Sequence, residues 1–270
     1  MPFIETRDGT SLFYNDWGRG RPIVFLHGWT LNSDIWEYQM APLVDRGVRV
    51  IAYDRRGHGR SSQPANGYDF DTLAEDLGTV LERLTLRDVT LVGHSMGAGE
   101  IARYLSSFGA DRIAGAVLVA PVTPFILKTD DNPDGVEGAM FDAIVAALGA
   151  DRPRFLSDGA PAFFGGADKV SPELLRWGVD IALRASARAA IECVRSYSRT
   201  DFRGDMPAFT VPTLILHGDA DASAPLELTA RKTAAAIRGS QLTVYAGAPH
   251  ALFLTEKERF NRDLLAFVAS

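Results

Sequence analysis

The sequence predicts an α/β fold: a mostly parallel, eight-stranded sheet flanked by helices, with a helical cap inserted after the sixth strand. Two observations carry this expectation. Short apolar runs bounded by Gly, Pro or Asp alternate with longer stretches whose apolar residues recur at helical spacing, and such alternation builds a parallel sheet between two helical layers. The alternation then lapses between residues 121 and 210, where helical spacing continues without a convincing strand.

In chain order, strands are expected at 2–6, 11–17, 22–26, 48–53, 89–93, 114–120, 213–217 and 242–245. The first two are joined by Arg7-Asp8-Gly9-Thr10, and Asp-Gly between apolar runs reads as a hairpin turn at an antiparallel edge. Most of the rest are unbroken apolar runs, as expected of strands covered on both faces. Between them, 71–84 places Leu73, Leu77, Val80, Leu81 and Leu84 at helical spacing, and 256–268 does the same with Phe260, Leu264, Leu265 and Phe267. Within the insertion, Ser171-Pro172-Glu173 is a helix start, with Ser as the cap and Pro in the first turn. The expected division is a core of residues 1–120 and 211–270, interrupted by a helical cap at 121–210.

At 270 residues and 29.3 kDa, a folded chain should expose about 11,500 Å² against about 42,500 Å² when extended, enough burial for a large core. Cys193 is the single cysteine, so no internal disulfide staples it. The 28 Lys and Arg residues are scattered among 34 Asp and Glu residues, for a net charge of -6, which argues against nucleic acid and an anionic membrane as partners. With no basic leader and no apolar run of about 18 residues, the expected compartment is the cytoplasm. The expected partner is a small-molecule substrate, and a homo-oligomer is compatible with the sequence.

The sharpest motif is Gly93-His94-Ser95-Met96-Gly97, between an expected strand and a helix running to about Phe108. A serine on such a turn is held at strained backbone angles with its Oγ presented, and glycines flank it because a Cβ there would strike the neighbouring strand or helix. A serine hydroxyl needs a histidine to take its proton and a carboxylate to orient that histidine. Of the five histidines, His94 lies inside the turn, His27 and His217 end strands, and His58 sits in a loop rich in Gly and Arg. His250, just after the last strand, is the best base. The acid is expected on the loop Gly218-Asp219-Ala220-Asp221 after the seventh strand, where spacing alone leaves Asp219 and Asp221 both open. Donors for an oxyanion are expected from the backbone N–H of Met96, next after the nucleophile, and of Trp29, on the loop after the third strand.

These motifs, HGW at 27–29, SDIWEYQM at 33–40, DRRGHGRS at 54–61, GHSMG at 93–97, HGDAD at 217–221 and APH at 248–250, resemble the α/β-hydrolase superfamily over essentially the whole chain. Within it they are similar to bacterial aryl esterases and cofactor-free haloperoxidases, also called perhydrolases. The resemblance implies the α/β-hydrolase fold and selects Asp221 as the acid. It further implies hydrolysis of small aryl or alkyl carboxylic esters through an acyl-enzyme on Ser95, perhydrolase activity beside it, no cofactor and no metal. The alternatives are hydrolysis of a lactone, cyclic amide or carbon-carbon bond by the same triad, and, more remotely, a non-catalytic ligand-binding relative. The chain departs from the pattern at Thr30, where His-Gly-Trp-Pro is usual, at Ala224, usually Val, and at Ala251, often Gly. A Thr30→Pro exchange is expected to raise the ratio of perhydrolysis to hydrolysis.

The expected substrate pocket takes Thr30 and Ala224 from the core and Phe125, Phe163 and Phe164 from the cap aromatics, whose other members are Phe141, Phe155 and Trp177. Two weaker patterns have simpler explanations. Gly97-Ala98-Gly99-Glu100-Ile101-Ala102 matches a loose dinucleotide fingerprint, but Val117 stands where the ribose-binding acid is needed. Asp130-Asp131-Asn132-Pro133-Asp134-Gly135 begins like a calcium loop, but Phe141 occupies the place of its bidentate Glu.

Overall fold

The computed structural model describes residues 2–269. Its eight strands are β1 (Phe3–Glu5), β2 (Ser11–Trp17), β3 (Pro22–Leu26), β4 (Arg49–Tyr53), β5 (Val89–His94), β6 (Ile113–Val119), β7 (Thr213–Gly218) and β8 (Gln241–Tyr245). They form one sheet in the order β1-β2-β4-β3-β5-β6-β7-β8. The β1–β2 and β2–β4 pairs are antiparallel and all others parallel. The opening hairpin turns at Asp8-Gly9, where Gly9 takes φ 81° and the Asp8 carboxylate accepts from the Thr10 N–H at 3.0 Å. β5 and β7 are buried along their whole length, whereas β8 at the far edge is buried only at Tyr245.

The helices are α1 (Glu37–Val44), α2 (Phe70–Arg83), α3 (Met96–Phe108), α4 (Gly138–Phe163), α5 (Pro172–Ala182), α6 (Ala187–Arg199), α7 (Ala230–Ala236), α8 (Leu252–Thr255) and α9 (Lys257–Ala269). Apolar residues pack against both faces of the sheet: Leu73, Leu77, Val80 and Ile101 on one side, Met40, Leu43, Phe253 and Phe260 on the other. The chain exposes 11391 Å², close to the surface expected from its mass. No helix among the described residues is long and apolar enough to cross a membrane.

Between β6 and β7 lie α4, α5 and α6, without a strand of the sheet. Each has a local cause. Ser171 caps α5 by accepting from the Leu174 N–H at 3.1 Å, with Pro172 opening the helix. Ser186 caps α6 in the same way through the Ala189 N–H at 3.0 Å. α4 is broken at Asp151, whose φ of -155° and ψ of 80° are not helical. Pro153 cannot supply the N–H that would continue the first half, and Asp151 Oδ1 starts the second half by accepting from the Arg154 N–H at 3.0 Å. This segment is tied to loops at the strand ends. The Ser186 N–H donates to the Gly57 carbonyl at 2.8 Å, and the Ala251 N–H donates to the Phe163 carbonyl at 3.0 Å.

Candidate active site

β5 runs into α3 with one residue between them, Ser95, so that residue must make the whole turn. Its φ of 54° and ψ of -113° are costly for a side-chain-bearing residue, about 1–3 kcal/mol, and persist only where the surroundings enforce them. They do: the Ser95 N–H donates to the Val119 carbonyl at 2.8 Å, and the Ser95 carbonyl accepts from the Ala98 N–H at 3.1 Å. A Cβ at Gly93 would lie 2.5 Å from the Gly97 carbonyl oxygen, and one at Gly97 would lie 2.6 Å from that of Leu26. The two glycines therefore let strand and helix meet at this angle.

Asp221 and His250 are brought together from two loops beyond the strand ends. Asp221 Oδ2 lies 2.6 Å from His250 Nδ1, while Oδ1 accepts from the Ser223 and Ala224 N–H groups, each at 2.8 Å. Burial acts to raise the Asp221 carboxyl, but the facing imidazole and the amide donors outweigh it and hold it below the ordinary carboxylate range. An ionised carboxylate at Nδ1 keeps the proton there and leaves Nε2 free to act as a base. His250 and Ser95 line the same cavity.

Asp219 stands apart from this pair. It is exposed, and its Oδ1 accepts from the Gly247 N–H at 2.6 Å, pinning the turn that follows β8. The remaining histidines are built into the frame. His217 Nε2 lies 2.8 Å from the Ala224 carbonyl, His58 Nδ1 lies 2.8 Å from the Arg56 carbonyl, and His94 Nε2 lies 3.2 Å from the His250 carbonyl. Burial lowers the pKa of all three and of His27, so they are neutral at pH 7.

Met96 opens α3, and the first N–H groups of a helix have no partner within it. Trp29 lies on the loop after β3, which is held from below. The Arg55 side chain donates to the His27 carbonyl at 2.7 Å and the Arg55 backbone N–H to His27 Nε2 at 2.9 Å, while the guanidinium is ion-paired with buried Glu100 of α3 at 2.8 Å. The loop beside Ser95 and the helix after it are thus clamped together. Thr30, next to Trp29, donates from Oγ1 to the Trp29 carbonyl at 2.7 Å and takes a φ of 59°. A proline ring fixes φ near -65°, roughly, so the expected effect of Thr30→Pro does not stand as a local exchange: the loop itself would have to re-form.

The cavity has a volume of about 650 Å³ and a largely apolar wall. Thr30, Ala224, Phe163 and Phe164 line it as expected, as do Phe141 and Phe155. Phe125 does not. Its ring packs under the Arg203 guanidinium at 5.2 Å, while its neighbour Ile126 reaches the cavity, because adjacent side chains of an extended segment leave on opposite sides. Trp177 also faces elsewhere, edge-on to Tyr38 at 6.0 Å. Sequence reading missed Tyr197 and Val122 on this wall. Helical spacing within α6 could have flagged Tyr197, which stands seven residues after buried Ala190.

A family model described as alpha/beta hydrolase fold matches residues 21–257. The chain is 45% identical to a non-heme chloroperoxidase, CPO-A1, of Kitasatospora aureofaciens, over 99% of each chain. It is 40% identical to a bifunctional esterase/perhydrolase, DCH, of Acinetobacter calcoaceticus, over the full length of both. Among solved structures, a bromoperoxidase from Bacillus anthracis superposes with a TM-score of 0.96 at 41% identity, covering 99% of each chain.

Proposed function

The chain belongs to the alpha/beta hydrolase fold family, on its esterase and non-heme haloperoxidase side, and from that premise we propose that it cleaves small carboxylic esters through an acyl-enzyme on Ser95. The observation that carries this reading is the 2.6 Å contact between Asp221 and His250 Nδ1 at the cavity where the strained Ser95 is presented. Ser95 Oγ attacks the ester carbonyl as His250 Nε2 takes its proton, and Asp221 stabilises the imidazolium that results. The N–H groups of Met96 and Trp29 meet the oxyanion, where one such donor contributes about 2.7–4 kcal/mol to the transition state. The imidazolium returns its proton to the leaving alcohol, and water activated by the same histidine releases the acid. The helices at 121–210 form a cap that closes the apolar cavity over the acyl group, the remainder of the chain being the catalytic core.

The names of the relatives favour a second use of the same intermediate. Hydrogen peroxide attacking the acyl-enzyme in place of water releases a peracid and regenerates Ser95. The test of the main reading is chromophore release from a short aryl ester together with covalent labelling by a serine-directed phosphonate. Wild-type protein should do both, and folded Ser95→Ala neither. Full labelling or turnover by the Ser95→Ala protein would overturn it.

A further inference from the structure

Most polar side chains on the cavity wall are already engaged. The Trp29 indole N–H donates to the Ala190 carbonyl at 2.8 Å, the Thr30 hydroxyl donates to the Trp29 carbonyl, and Glu137 is ion-paired with Lys128. Tyr197 of α6 differs. Its ring stands edge-on to Trp29 at 6.4 Å and to Phe141 at 6.2 Å, and among the described residues no hydrogen bond joins its hydroxyl to another group. Its surroundings are deep enough that burial pushes the phenol well above its ordinary range, yet the residue keeps some accessible surface. Both facts hold if that surface faces the cavity it lines. The hydroxyl is open to cavity water in the free protein, and a bound molecule that displaces this water without offering an acceptor leaves it unpaired, at a cost of about 1–3 kcal/mol.

We propose that Tyr197 determines substrate specificity by donating its hydroxyl to a second oxygen of the substrate, outside the scissile ester group, so that the preferred esters carry an ether, hydroxyl or carbonyl oxygen on an otherwise short apolar chain. This rests on the ester-hydrolase reading of the same cavity. At neutral pH the phenol is protonated and is a donor, which matches a neutral oxygen acceptor. An all-carbon chain in that place would leave the hydroxyl unmatched, and sites built to hydrogen-bond a substrate group discriminate against analogues that lack it.

The test compares ester pairs in which one CH2 is replaced by an ether oxygen. On the acyl side the pair is p-nitrophenyl butyrate and p-nitrophenyl methoxyacetate; on the alcohol side it is n-butyl acetate and 2-methoxyethyl acetate. Intrinsic reactivity cancels when each oxygen-to-carbon ratio of kcat/KM is compared between wild type and Tyr197→Phe. The expected result is that this ratio falls roughly five- to tenfold in the variant on one side. Equal changes for both members of both pairs would overturn the proposal. If wild type turned over none of the four esters, the ester-hydrolase reading would fail instead. Tyr197 would then be judged by calorimetric binding of methoxyacetamide against butyramide, which needs no turnover. A preference for the ether that Tyr197→Phe abolishes supports the proposal, and no preference refutes it.

Discussion

Asp219 and Asp221 lie two residues apart on one loop, and their partners separate them. Asp221 is buried against His250 Nδ1, and two backbone amides fix its other oxygen. Asp219 is exposed and holds the Gly247 N–H. An amide in place of Asp221 would favour the wrong imidazole tautomer, a change that costs about 10⁴ in kcat in the protease template. Asp221→Asn should therefore lower kcat by several powers of ten with little effect on folding. An Asn at Asp219 retains an acceptor for Gly247, so Asp219→Asn should cost about tenfold or less. Steady-state kinetics of the two purified, folded variants decides between them, and the reverse order would give the acid's role to Asp219. Asp219 reaches not to its own local backbone but across to the turn after β8. That long-range partner leaves no trace in local spacing.

At the scale of elements, β5, Ser95 and α3 were legible because a local rule sets each: an apolar run, a serine between glycines, and a helix start directly after it. α5 was legible for the same reason, since Ser171 and Pro172 announce its first turn. That cap can be tested by itself, because Ser171 is exposed and its side chain accepts a hydrogen bond from the Leu174 N–H. Ser171→Ala should lower unfolding free energy by about 1 kcal/mol, while Ser171→Asp, an equally good cap, should leave it nearly unchanged. Urea titration of the three proteins measures both, and equal stability of Ala and Ser at this position would show that α5 does not depend on the cap. Less legible was which cap aromatics reach the cavity. Phe125 and Ile126 are adjacent and both apolar, and only the path of the chain between β6 and α4 decides that Ile126 faces the cavity and Phe125 faces Arg203. Tyr197 escaped for a related reason. Its importance depends on Trp29 and Phe141, which come from other parts of the chain.

Across the whole molecule, burying histidines without giving them charge makes stability depend on pH. His27, His58, His94 and His217 all have lowered pKa values, with burial the largest cause in each. His58 is the most quantitative case. It is fully buried, its Nε2 has no hydrogen-bond partner among the described residues, and its pKa is lowered to about 3 by burial and by the nearby Arg55 charge. Between that value and the unfolded value of 6.5, the unfolded chain binds a proton that the folded chain refuses. Stability from such a group is therefore full above the unfolded pKa and falls as pH drops toward the folded one. Asp76 works the other way. Burial outweighs its pairing with Arg56 and raises it to about 6, so its contribution declines as pH rises through that value. One such carboxyl against four histidines leaves the net sign with the histidines. Urea midpoints should consequently fall between pH 7.5 and pH 5, with His58 accounting for about 2 kcal/mol of the loss. His58→Asn removes the titrating group and keeps a side-chain amide that can donate to the Arg56 carbonyl. The variant should lose correspondingly less stability over the same interval, even if its stability at pH 7.5 is lower. An unchanged pH slope in His58→Asn would mean that His58 titrates in the folded protein as it does in the unfolded chain, and that the acid sensitivity lies with the other three.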